Sequence, residues 1–471
     1  MDTSALAPLS KADRVSGPRL DQQSLKPLSA PPAPRLTVGP KSLEPIALVD
    51  GDARDDGPAA RLLRDTLTDA ASRGASDIHI EPGERGWRVR VRIDGLLHEI
   101  ARPPLYLFDP LVTRIKVLAR LDIAERRIPQ DGRLRLVRAD GLADEYRVNS
   151  LPTLFGEKLV LRRLDAEPTR LTLAALGLNL AQQTTLNRAL AAPHGMLLVT
   201  GPTGSGKTVS LYCFLQLLNS TARNLCAVED PTEIQLTGVN QVSVREKAGL
   251  TFTTALRAFL RQDPDVIMVG EIRDPETADI AVKAAQTGHL VLSTLHTNDA
   301  PSAVTRLRDI GVAPFNLAAA IRLISAQRLL RRLCIACRVP AELSRAQWQA
   351  AGLADTLIDS GKTIFRARGC DACHGIGYRG RIGIHQVMPV SEAMREIIVA
   401  HGSAGALARQ ARAEGIASLR DAALESVMAG TTSPDEALAA TDFVSQENAG
   451  PPPSFFDPLG GPGAQRQVWG R

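Results

Sequence analysis

The hydrophobic pattern of the chain changes twice, and each change marks a different kind of folded unit. From Ala59 onward, Leu62, Leu63, Leu67, Ala70 and Ala71 recur at helical spacing until Gly74, which predicts an amphipathic helix. Trp87-Arg-Val-Arg-Val-Arg-Ile-Asp-Gly95 then alternates apolar and basic positions and closes on Asp-Gly. Such a run is a half-buried strand entering a tight turn, with Arg88, Arg90 and Arg92 on one face. A second helix is predicted over Leu107–Leu121, and strands over Gly132–Arg138, Glu145–Leu151 and Glu157–Leu164. Segment 58–165 therefore reads as a mixed α+β domain.

Beyond residue 170 the rhythm becomes short, wholly apolar runs separated by amphipathic stretches. The runs are Met196–Thr200, Asn224–Glu229, Asp265–Glu271 and His289–His296. That alternation predicts a parallel sheet with crossover helices, an α/β core over 166–332. A cysteine-bearing module is assigned to 333–390 and a helical region to 391–445. Residues 1–57, rich in Pro, Ala, Ser and Asp, and the tail 446–471 lack the apolar surface that offsets chain entropy, so both are expected to be disordered.

With 471 residues, 44% hydrophobic and 23% charged, the chain has room for several cores, and collagen-like, wholly disordered and coiled-coil classes are excluded. Runs such as Met196–Val199 and Val266–Val269 fall far below the roughly 18 residues of a membrane span. The opening MDTSALAPLS carries no secretory signal, so a cytoplasmic location is expected. Net charge is 56 minus 51, or +5, a mild bias toward phosphates or anionic lipid. Only nine of the 56 basic residues are Lys, which makes a lysine inside a motif more informative than an arginine.

One such lysine stands in Gly201-Pro-Thr-Gly-Ser-Gly-Lys-Thr208, a match to G-x-x-x-x-G-K-[ST] set between an apolar run and a helix carrying Leu211, Leu215 and Leu218. Gly201, Pro202, Thr203, Gly204, Ser205 and Gly206 would curl backbone N–H groups around phosphate oxygens, and the helix dipole would assist. Lys207 is expected to reach the β- and γ-phosphates, and Thr208 to ligate Mg²⁺. Triphosphate hydrolysis further needs one group to orient water and one on the metal side. Glu229, Asp230 and Glu233 follow the second apolar run and Glu271 ends the third, so all four are expected at the carboxyl edge of the sheet where ligands bind. His289 and His296 bracket the fourth run, and His296 is the candidate phosphate contact.

These strings, in this order, closely resemble the secretion and pilus-assembly ATPases that drive type II secretion and type IV pilus extension. The resemblance covers about 59–440 and includes the Walker A loop 201–208, the acidic box 229–233, the Walker B string Leu260–Asp274, the histidine box 288–296, Gln327-Arg-Leu-Leu-Arg-Arg-Leu-Cys334 and Arg92-Ile-Asp-Gly95. It implies a PAS-like first domain linked to a RecA-like P-loop motor domain, and six chains in a ring at the cytoplasmic face of the inner membrane, working with a membrane platform protein. By the same resemblance Glu233 orients water and Glu271 is the metal-side carboxylate, with the two roles exchangeable. Thr237–Val242 and Asn298–Ser302 are closer to the pilus-extension branch, whereas the arm of about 57 residues is too short and polar for the additional amino-terminal domain frequent in the secretion branch. Arg92, Arg114, Arg133, Arg257 and Arg261 are candidates for a guanidinium supplied to nucleotide.

Cys334-Ile-Ala-Cys337 and Cys370-Asp-Ala-Cys373 form two C-x-x-C knuckles, and four thiolates complete a tetrahedral, hence structural, zinc shell. Two rival readings are a c-type haem string at Cys370–His374, which requires export, and redox-active thiols. Cys213 and Cys226 lie in apolar runs and are expected to be core residues. The rival function classes are a nucleic-acid translocating motor and a non-catalytic nucleotide-regulated scaffold. The basic runs lack the aromatic stacking positions of the former, so no stable nucleic-acid partner is expected, and intact Lys207, Thr208, Glu233 and Glu271 oppose the latter.

Overall fold

The structure, a computed structural model, describes residues 47–49, 57–137, 143–164, 172–341 and 363–441. The tail 446–471 lies outside the described residues, as does all of segment 1–57 except Gly57 and a short strand, β1 (Ala47–Val49), which departs from the expected disorder.

In the first domain, α1 (Pro58–Ser72) leads into β2 (Asp77–Gly83), β3 (Gly86–Ile93) and β4 (Leu96–Ala101). Then come α2 (Phe108–Leu118), β5 (Gln130–Val137), β6 (Ala143–Thr153) and β7 (Gly156–Leu164). The strands form one sheet in the order β1-β5-β6-β7-β2-β3-β4, antiparallel except where β1 runs parallel to β5. Period-two burial along β3 sends Trp87, Val89, Val91 and Ile93 into a core shared with Leu63 and Leu67 of α1 and Leu111 and Ile115 of α2. Asp94 and Gly95 both take positive φ, 46° and 90°, which is the turn the Asp-Gly pair encodes. The opposite face is an ion network in which Glu81 meets Arg90 and Lys158, each at 2.8 Å, and is held down to about 2 by those partners against the cost of its burial.

A second sheet follows, with strands β8 (Gly195–Thr200), β9 (Leu225–Glu229), β10 (Val239–Ser243), β11 (Val266–Val269), β12 (Leu290–Leu295), β13 (Ile321–Leu333) and, after a short β14–β15 ribbon (Val339–Pro340 with Phe365–Arg366), β16 (Tyr378–Pro389). Their order is β10-β9-β11-β12-β8-β13-β16, parallel until β16 pairs antiparallel with β13. Because successive residues enter opposite cores, Met196 and Leu198 on one side and Leu197 and Val199 on the other, the central strands β8, β11 and β12 are buried along their whole length. Helices α3 (Leu180–Leu190) and α4 (Lys207–Leu218) cover one face. Helices α5 (Phe252–Phe259), α6 (Pro275–Gln286), α7 (Ala300–Asp309) and α8 (Pro314–Ala320) cover the other. Four carboxy-terminal helices, Glu392–Val399, Ala404–Ala413, Leu419–Met428 and Pro434–Thr441, join that second core, and Ser391, Ser403 and Ser418 cap the first three.

Segment 333–390, expected as one cysteine module, is divided. Both cysteine knuckles lie between β13 and β16, but β16 itself pairs with β13 in the second sheet, from Leu323 opposite Pro389 to Leu333 opposite Tyr378. Among the described residues no helix is long and apolar enough to cross a membrane.

Candidate functional site

Residues 201–208 connect β8 to α4 in a loop that glycine alone permits. Gly201, Gly204 and Gly206 take φ of 153°, 79° and 89°. A Cβ on Gly201 would lie 2.5 Å from the Gln327 carbonyl oxygen, whereas one on Gly204 would meet only open space. Beside Gly204 the loop therefore leaves its backbone open to an approaching group, as a phosphate cradle requires. Lys207 Nζ donates to the carbonyl oxygens of Gly201 and Pro202 at 2.9 and 3.0 Å, curling back over the loop. Burial pushes its ammonium down to about 8, opposed by the carboxylate of Glu271. Thr208 occupies the first turn of α4.

The loop rests on β13. Gln327, buried, donates from Nε2 to the Ser205 carbonyl at 2.6 Å and accepts from Ser210 Oγ at 2.7 Å, so one amide grips both the loop and the helix it opens. Its neighbour Arg328 donates to the Asn298 side-chain oxygen at 3.1 Å.

Parallel pairing brings the ends of β9, β11 and β12 to the same sheet edge as the loop. Glu271, two residues past β11, pairs with Arg273, and its other oxygen is 3.4 Å from His296 Nε2. Asp230 and Glu233 are exposed after β9. Glu229 differs from its expected place on the phosphate side: it is 4% exposed, and its carboxylate accepts from the Tyr212 hydroxyl and from Gln241 Nε2. Burial raises it to about 7, with the two hydrogen bonds opposing. His289 uses Nδ1 at the Ala284 carbonyl, 3.0 Å away, and so completes the end of α6.

The arginine candidates scatter. Arg92 donates to the Gly95 carbonyl at 2.7 Å within its own turn, Arg114 lies on α2, and Arg133 is exposed on β5 opposite Arg147. Arg257 pairs with Glu276 at 2.6 Å, and Arg261 donates to the Arg257 carbonyl at 3.0 Å. Residues with no role assigned from the sequence, Tyr212, Gln241, Arg273 and Gln327, prove to hold the site together. The available signal was a polar atom inside an otherwise apolar run, as Tyr212 is within Leu211–Leu215.

The four knuckle cysteines converge, with all four sulfurs within 4.8 Å of one another. Cys334 to Cys370 is 3.9 Å, Cys337 to Cys373 is 3.8 Å and Cys370 to Cys373 is 3.8 Å. A tetrahedron with Zn–S bonds of about 2.3 Å has sulfur edges of about 3.8 Å, so the donor set fits zinc. Backbone N–H groups of Cys370 and Gly377 point at the Cys373 sulfur, at 3.2 and 3.1 Å, the outer support expected around thiolates. Cys213 and Cys226 are buried core thiols, and burial pushes Cys213 up to about 11.

Comparison with known proteins agrees with this geometry. Residues 52–439 match the family described as Type II/IV secretion system protein. The chain is 50% identical over 384 residues to the type IV pilus assembly ATPase PilB of Acinetobacter baylyi, covering 81% of this chain and 66% of that relative. It is 48% identical over 391 residues to the type II secretion system protein E of Aeromonas hydrophila, covering 83% and 77%. The solved ATPase DotB of Legionella pneumophila shares the fold at a TM-score of 0.61 and 21% identity, over 84% of this chain and 98% of that one. The chain spans about two thirds of the length of the pilus relative it matches. On this combination of sequence match, fold and phosphate-loop geometry, the chain belongs to the Type II/IV secretion system protein family, whose pilus-assembly and secretion relatives are ATPases.

Proposed function

We propose that this chain is a motor ATPase that couples hydrolysis of ATP to assembly of pilin or pseudopilin, acting as a homo-hexamer at the cytoplasmic face of the inner membrane with a platform protein as partner. The observation that carries the proposal is the glycine loop at 201–208 with Lys207 over it and Glu271 past the end of β11, one strand removed at the same sheet edge. In this reading the backbone of Gly201–Gly206 and Lys207 hold the phosphates, Glu233 orients the attacking water, and His296 senses the phosphate from beside Glu271. The hydroxyl of Thr208 and the carboxylate of Glu271 are hard oxygen donors suited to Mg²⁺, which when bound neutralises phosphate charge. Arg92, Arg114, Arg133, Arg257 and Arg261 would reach nucleotide as contributions to a neighbouring subunit's site. Cys334, Cys337, Cys370 and Cys373 would hold a structural zinc; with every position filled by sulfur no site is left for water, so its part is to fix the β13–β16 connection.

Lys207→Ala is the test. Turnover of Mg-ATP by the full chain should fall by at least about 10²-fold while the thermal transition stays in place. Near-normal ATPase activity in that variant overturns the proposal.

A further inference from the structure

The loop between β9 and β10, which carries Glu233, satisfies much of its backbone through side chains rather than through secondary structure. The N–H groups of Glu233 and Ile234 donate to the Tyr212 hydroxyl oxygen at 3.1 and 3.3 Å. The Leu236 N–H donates to Gln241 Oε1 at 2.7 Å, and the Ile234 carbonyl accepts from Gln241 Nε2 at 2.9 Å. Tyr212 belongs to α4, four residues beyond Thr208, and is fully buried.

Behind both clamps stands one carboxylate. A phenol has a single proton; with that proton given to Glu229, the oxygen's lone pairs are left for the two loop amides. Likewise Gln241 Nε2 donates to Glu229 Oε1 at 3.2 Å, which orients the amide so that Oε1 faces Leu236. The Glu229 carboxylate accepts from both, so it sets the polarity of both neighbours at once. An apolar residue at 212 would fill the space and leave two loop amides without their acceptor.

We infer that Tyr212 and Glu229 are positioning residues that lock the Glu233 loop to the phosphate-loop helix, so that the separation between Lys207, Thr208 and Glu233 is set by one buried hydrogen-bonded node. The inference rests on the ATPase reading for its catalytic consequence, but the tether itself does not. Glu229 then acts through Tyr212 and Gln241, with no contact to nucleotide.

The experiment compares wild type, Tyr212→Phe and Glu229→Gln in the full-length protein. Amide exchange across 230–236 is measured without nucleotide, followed by Mg-ADP affinity and the kcat and KM for Mg-ATP. Loss of the acceptor in Tyr212→Phe should speed exchange of the Glu233 and Ile234 amides on the order of tenfold. It should lower kcat by about 10- to 100-fold and leave Mg-ADP affinity within about twofold. Glu229→Gln keeps the size of the side chain but turns an NH₂ toward a neighbour that also donates. It should move exchange and kcat in the same direction, which mere filling of space would not. Unchanged exchange at Glu233 and Ile234 in both variants overturns the inference, as does a kcat loss matched by equal loss of Mg-ADP affinity. Should wild type fail to hydrolyse ATP, the ATPase reading falls and the exchange result still decides the tether.

Discussion

The phosphate loop and the cysteine knuckles are both shaped to receive a charge, and they achieve it by opposite means. At 201–208 the proposed phosphate contacts are backbone N–H groups and the Lys207 ammonium, and the backbone is held by residues outside the loop: Gln327 from β13 and Ser210 from α4, 117 positions apart. At the knuckles the groups that would ligate are the side chains themselves, and two short turns bring four sulfurs together. A site built of backbone depends on its scaffold, whereas one built of side chains depends on each ligand. Apart from Lys207, mutational sensitivity should therefore lie in the supports at the first site and in the donors at the second.

The largest effect is expected at the cysteines. Cys373 sits in the middle of its site, with sulfur contacts to Cys337 and Cys370 and two backbone N–H donors. Structural zinc contributes on the order of 10 kcal/mol. Cys373→Ser should abolish stoichiometric zinc, measured by elemental analysis of the purified chain, and lower the calorimetric Tm by at least about 10 °C. Wild-type protein purified without zinc, and unaffected by a chelator, breaks the comparison outright.

A smaller effect is expected from the scaffold of the other site. Gln327→Leu retains bulk but strands the Ser205 carbonyl and the Ser210 hydroxyl, each an unsatisfied buried group at a cost of about 1–3 kcal/mol. Mg-ADP affinity should weaken roughly tenfold by titration, and zinc content should not change. Equal loss at both sites would show that β13 transmits damage along its length and that the two grips are not independent.

What was legible beforehand follows the same division. The apolar strands, the glycine-lysine loop and the cysteine pairs are local patterns, and each is set by neighbours within a few residues. Strand β13 is not local. Its arginines give it no clean period, and they are satisfied from afar: Arg322 by the His194 carbonyl, Arg328 by Asn298, and Arg331 by Glu436 while it also lies over the Tyr378 ring. Its partner β16 lies beyond the cysteines, which is why 333–390 resembled one module. The inward turn of Glu229 was hidden for the same reason, since an acid after a strand shows its position but not the tyrosine 17 residues earlier that claims it.

The smallest expected effect separates the two sites by the sign of their pH dependence. Burial holds Lys207 down to about 8, below its ordinary range, so it is charged at neutral pH and loses its proton as pH rises through about 8. Phosphate oxygens favour the ammonium form, so binding above that pH must restore a proton. Mg-ADP affinity should be flat below about pH 7, fall about twofold by pH 8 and then decline more steeply, approaching tenfold per pH unit at about pH 9, with proton uptake visible as a buffer-dependent heat of binding. At the knuckles the dependence runs the other way, because thiols must release protons to become ligands and metal affinity rises with pH. An affinity for Mg-ADP that stays level to pH 9.5 would mean that Lys207 keeps its charge before nucleotide binds, and that the two carbonyl oxygens of Gly201 and Pro202 compensate fully for its burial.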